Sequence, residues 1–158
     1  MTHQFKTLDN LRDAIKELES ILARPTRHLS HPTLYRRRDV QTGDTLLKGV
    51  RKKDWFFSED ECWVLPHDQM GLSFSSNWQN LKGVFKMKEK HNLGASINVY
   101  WAMESVLLPE KLKFEPDRNK TGHYFLTVTE KMTLKQLVDK LKWIADHMAV
   151  IRDVRKSL

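Results

Sequence analysis

Apolar residues recur at helical spacing near both ends of the chain and in shorter, strand-like runs between them. Near the start, Leu8, Leu11, Ile15, Leu18 and Leu22 fall three or four residues apart, with Thr7 placed to cap. Asp9 and Asp13 sit in the early turns, where the helix dipole favours acids, and Pro25 ends the pattern. The spacing predicts a helix over 7–24. Near the end, Leu134, Leu137, Val138, Leu141, Ile144, Ala145, Met148 and Ile151 share one helical face behind Thr133, which predicts a helix over 133–155. Between them lie β-favouring stretches at Thr33–Arg37, Glu61–Leu65, Leu72–Phe74, Ile97–Met103, Leu112–Phe114 and Tyr124–Thr129. Turn signals such as Pro116-Asp117 and Thr121-Gly122 separate them, and Leu81, Val84, Phe85 and Met87 predict a short helix between Trp78 and Asn92. The expected class is α+β: one domain over 1–158, with a sheet core over 33–133 flanked by the two helices. Both helices read as scaffold, and the first can alternatively dock a partner.

Composition narrows the function classes. With 40% hydrophobic and 30% charged residues, the 158-residue chain can bury a core. Its apolar runs are only a few residues long, far short of the roughly 20 that span a bilayer. The segment MTHQFKTLDNLRD lacks the apolar core of a secretory signal. Cys62 is the sole cysteine, so neither an internal disulfide nor a CxxC zinc site is possible. The expectation is a cytoplasmic protein in a reducing compartment, with no membrane association.

Charge is concentrated. The net charge is +7, and residues 24–53 alone hold nine Lys or Arg against Asp39 and Asp44. A local basic zone fits a polyanion: nucleic acid, a phosphorylated ligand or an acidic protein. It fits a solvated basic surface equally well.

Metal chemistry finds little support. His28 and His31 are flanked by Pro25 and Pro32, while His123 and His147 stand alone in sequence. Cys62 follows Asp60 and Glu61, whose charge would disfavour a thiolate, so a small strand residue is its expected role. Three features remain. In Leu34-Tyr35-Arg36-Arg37-Arg38 an arginine fork can grip phosphate, or simply guard an edge strand. In Gly71-Leu72-Ser73-Phe74-Ser75, Leu72 and Phe74 can face the core, with Ser73 and Ser75 on the other side. The third is Pro109 through Asp117, followed by His123-Tyr124 and Met132.

The order of these pieces resembles a bacterial toxin family. Tyr35-Arg36 comes early, Gly71-x-Ser73-Phe74 in the middle, then Pro109-x-x-Leu112-Lys113-x-x-x-Asp117, His123-Tyr124 and a following Met132. The family is that of the type VI secretion exported effector two, a cytoplasmic toxin with an ADP-ribosyltransferase-like fold, and the likeness spans about 33–133. It implies a split of two small, mostly antiparallel sheets that hold NAD, as substrate, in the cleft between them. It assigns Arg36 to the dinucleotide, or Arg37 if the register moves by one, and Ser73 with Ser75 to the nicotinamide-ribose pocket. His123 and Tyr124 would line that pocket, and Glu104 is the candidate for the acid that many relatives carry. Ser73, Glu104 and His123 are thus the candidate catalytic residues. The resemblance also implies a cognate immunity protein or antitoxin, expected to be acidic, and a protein or nucleic-acid acceptor.

Two other classes compete. A metal-independent ribonuclease toxin could use His31, Arg36, His123 and Tyr124 for acid–base work and phosphate stabilisation. A non-catalytic nucleic-acid-binding module could combine Arg36–Arg38 and Lys48–Lys53 with Trp55, Phe56 and Phe57 as stacking rings.

Overall fold

Three layers enclose two apolar clusters among the described residues. The computed structural model describes residues 8–18, 21–26, 34–35, 46–47, 50–91 and 99–152. Helix α1 spans Leu8–Leu18, α2 Trp78–His91 and α3 Leu134–His147. The strands are β1 Ile21–Thr26, β2 Leu46–Leu47, β3 Val50–Arg51, β4 Phe56–Phe57, β5 Trp63–Leu65, β6 Leu72–Ser75, β7 Val99–Glu104, β8 Leu112–Pro116, β9 His123–Val128, β10 Met132–Thr133 and β11 Ala149–Arg152. A six-stranded antiparallel sheet in the order β11-β7-β1-β6-β9-β8 forms the middle layer. A three-stranded antiparallel sheet, β10-β5-β4, and the β2-β3 pair complete the strands among the described residues. The chain is α+β, as its pattern predicts, and none of the described helices is long and apolar enough to cross a membrane.

Alternation decides which side chain enters which layer. On one face of the large sheet, Leu22, Trp101, Met103, Leu72, Phe74, Leu126 and Val128 meet Val64, Met132 and the stripe Leu134, Leu137, Leu141 and Ile144 of α3. On the other, Ile21, Ala23 and Ala102 pack beneath Leu11 and Ile15 of α1 and Leu81 of α2. Thr133 caps α3: its hydroxyl accepts from the Gln136 N–H while the Gln136 side chain accepts from the Thr133 N–H.

Both terminal helices are shorter than their periodicity predicts. α1 ends at Leu18, and Ile21–Thr26 is a strand inside the sheet. Leu22 satisfies the helical stripe and a strand face equally. Pairing with β7 along all six residues of β1 settles the choice. Likewise α3 ends at His147. Met148 is extended (φ −81°, ψ 149°), and the segment containing Val150 and Ile151 adds a strand to the edge of β7. The sheet core therefore extends on both sides of 33–133. The expected strand at Thr33–Arg37 is described only at Leu34, which is buried, and Tyr35, and these two form a bend.

The β8–β9 turn is pinned to the start of α2. The Asn77 side chain accepts from the Asn80 N–H at 2.7 Å, and the Asn77 carbonyl accepts from the Leu81 N–H at 3.1 Å. The Gly122 carbonyl accepts from the Ser76 N–H at 2.8 Å. Gly122 adopts φ +84°, and a Cβ there would overlap the Asn77 amide group. Gly122→Ala is expected to cost about 2–3 kcal/mol, from backbone strain and a displaced cap. Asn77→Ala should cost about 1 kcal/mol. The double variant should lose less than the sum, because the alanine at 122 no longer meets an amide. Urea unfolding of the three variants checks this, and strict additivity would contradict the clamp.

Candidate functional site

A cleft opens where two strands of the large sheet stop pairing. β1 and β6 share one register pair, Ala23↔Ser75, whereas β1 pairs with β7 along its full length. Continuing that register would set Pro25 opposite Ser73. Pro25 has no N–H with which to prolong the ladder. Beyond Ala23 lies a cleft of about 440 Å³, lined by Ala23 and Arg24 of β1, Leu72, Ser73 and Ser75 of β6, and His123 and Phe125 of β9. Arg51 of β3 and Asp54 add a cation and a carboxylate, Asp117 and Lys120 of the β8–β9 turn add another of each, and Val84 and Met87 of α2 close the apolar side.

The serine strand behaves as its pattern predicts. Leu72 and Phe74 enter the core, while Ser73 and Ser75 lie on the opposite face. Ser73 is exposed; Ser75 is buried, and its hydroxyl donates to the Asn80 side chain. Gly71 precedes them because a Cβ there would run into the carbonyl of Leu126 on β9. Register sets Ser75 beside His123 and Ser73 beside Phe125.

His123 is oriented from both sides. Its Nδ1 lies 2.8 Å from Asp117 Oδ2, and the two side chains are only 11% and 14% exposed. Its ring meets Phe125 edge to face at 4.9 Å. Asp117 Oδ1 in turn accepts from the Asn119 N–H at 2.8 Å. That amide foremost, and the His123 ring after it, hold the Asp117 carboxyl below the usual carboxylate range.

The cationic wall comes from residues without a distinctive motif. Arg24 is 8% exposed, with its guanidinium carbon 5.5 Å from the centre of the Phe74 ring. Arg51 Nε lies 3.5 Å from Asp54 Oδ2.

Of the residues singled out from sequence, Ser73, Ser75 and His123 meet in this cleft. Tyr124 does not line it: strand alternation turns it to the other face of β9, against the core. Glu104 ends β7, with β1 between it and β6, and is not part of the lining. Arg36, Arg37 and Arg38 lie outside the described residues, as do His28, His31 and Lys48. Trp55 is 2% exposed and Phe57 packs against the core, so neither can serve as a stacking ring; Phe56 is exposed. Cys62 is exposed in a bend before β5, rather than a strand residue, with its N–H donating to Asp60. Among the described residues no three His, Cys, Asp or Glu side chains group to hold a metal ion.

The sequence singled out neither Asp54 nor Lys120, and it offered Arg24 and Arg51 only within the basic zone and Asp117 only within the Pro109–Asp117 motif, without a role of its own. Arg24 was hidden inside an apparent helix. Asp117 had a visible signal: it follows Pro116 at a turn and stands six residues before His123 across a predicted hairpin. No family model, curated protein or solved structure matches the chain.

The low pKa of Asp117 sets a sign for acid stability. Its stabilisation is present above the unfolded carboxyl value of about 4 and is lost as pH falls through the lower folded value. Asp117→Asn should be less stable than wild type near neutrality, and its stability should fall less between about pH 5 and 2. Thermal melts across that range measure it; parallel curves for the two proteins would refute it.

Proposed function

We propose that the chain is an NAD-using, ADP-ribosyltransferase-like toxin that works in the bacterial cytoplasm. One observation carries the reading: Ser73, Ser75 and His123 share a cleft with Arg24, Arg51 and Lys120 at the point where β1 and β6 part. The fold assignment that goes with it is the ADP-ribosyltransferase-like split, the cleft lying where the two halves of the large sheet separate. Arg24, Arg51 and Lys120 supply positive charge for the pyrophosphate. Ser73 offers an exposed hydroxyl to the ribose, and Ser75 supports the strand from beneath. Fixed donors and cations of this kind stabilise the charge that develops as nicotinamide departs. The carboxylates at hand are Asp54 and Asp117 rather than Glu104. In this reading an acidic immunity protein neutralises the toxin by covering the cleft, complementary charge speeding its association. The acceptor of the ADP-ribose is a protein or a nucleic acid.

The Asp117–His123 hydrogen bond also suits a metal-independent ribonuclease, in which an imidazole moves the proton and cations hold the phosphate. The two readings separate cleanly in one assay. Purified protein is incubated with NAD and bacterial lysate, or with RNA alone, and nicotinamide and RNA fragments are followed. The transferase reading expects nicotinamide from wild type, at least about 100-fold less from Arg24→Ala and Ser73→Ala, and intact RNA. Expression in bacteria should arrest growth for wild type and spare it for both variants. RNA cleavage without NAD selects the ribonuclease. Normal growth with intact wild-type protein speaks against either toxin.

A further inference from the structure

We propose that Asp117 and His123 form a proton-accepting pair that activates the attacking hydroxyl, with His123 as the catalytic base and Asp117 as its positioning residue. The inference rests on the NAD reading above and supplies the base which that reading lacks. Its grounds are geometric. Asp117 is held as a carboxylate by the Asn119 N–H, so it accepts, and His123 Nδ1 must carry the proton between them. In the neutral ring, that leaves the free lone pair on Nε2. Nε2 makes no hydrogen bond within the described protein, and the ring lies on the cleft wall beside Ser75. The pair is rigid: the Asp117 N–H donates to the His123 carbonyl at 2.9 Å, the His123 N–H to the Lys120 carbonyl at 3.2 Å, and Phe125 braces the ring. The charged groups that share the cleft with this ring are Arg24 of β1, Arg51 of β3, Asp54, and Lys120 on its own turn.

The step balances without any further reactant. The hydroxyl oxygen of water or of the acceptor bonds to the ribose carbon that carries nicotinamide. The bond from that carbon to the pyridinium nitrogen breaks, and its electron pair leaves on the nicotinamide as a neutral ring. The hydroxyl proton passes to Nε2 of His123 and from there to solvent.

Two measurements test the pair, one of them independent of turnover. Nitrogen-15 NMR of the labelled imidazole in wild type, recorded where the ring is neutral, should show Nδ1 protonated and Nε2 bare, and Asp117→Asn should lose that preference. Nicotinamide release should fall about 100-fold or more in His123→Ala. In Asp117→Asn it should fall at least tenfold in kcat, with KM for NAD unchanged, and Asp117→Glu should recover part of the loss. A proton on Nε2 in wild type, or unaltered kcat in His123→Ala, overturns the proposal. A loss confined to KM overturns it as well. If wild type releases no nicotinamide, the NAD reading falls and this step with it. The tautomer then decides separately whether the pair presents a base to the cleft.

Discussion

Pro25 sits in a strand that has a neighbour on either side, and it can donate to neither. β1 pairs with β7 along its full length and is attached to β6 at a single register pair, beyond which Pro25 offers β6 no donor. A continuous six-stranded sheet would have placed Arg24 and Ser73 in adjacent ladder positions, each with its backbone consumed by pairing. Instead the strands part, and side chains from both edges face one space. Burying the Arg24 charge there is expensive by itself. The face of Phe74 beneath the guanidinium offsets part of that cost.

The opposite wall owes its shape to a second constraint. Gly122 lets the β8–β9 turn press against Asn77, which caps α2, and Ser76 binds the Gly122 carbonyl. The same turn carries Asp117, Lys120 and, at its end, His123. Stability and placement of the site are thus one device. A helix cap fixes a turn, and the turn fixes an imidazole. Side chains held this way need little reordering when a ligand arrives.

How much of this can be read in the sequence differs by element. Leu72–Ser75 has an unambiguous alternation, and the two faces it predicts are those observed. Thr133 is legible as the cap of the last helix, and it does cap α3, with Gln136 completing the box. Leu22 and Ile151 mislead, because an apolar residue at helical spacing is equally at home in a strand, and only long-range pairing decides between them. Tyr124 misleads differently. It adjoins His123 in sequence, yet neighbours along a strand face opposite ways. Arg24, Arg51 and Asp117 come from three separate segments, and only folding brings them together, so spacing cannot announce them.

The cleft holds two carboxylates as well as three cations, which at first sight disfavours an anionic ligand. Their engagements change that balance. Asp54 is within 3.5 Å of Arg51, and Asp117 accepts from Asn119 and His123, so each negative charge is already met within the protein. A phosphate entering the cleft faces dipoles and guanidinium groups more than bare carboxylate. The two acids then have distinct consequences. Asp54 sits against one of the cations that would meet phosphate, while Asp117 sets which nitrogen of His123 can take a proton. In the proposed reading, an oriented imidazole that shares the cleft with the exposed Ser73 is what favours chemistry over simple binding.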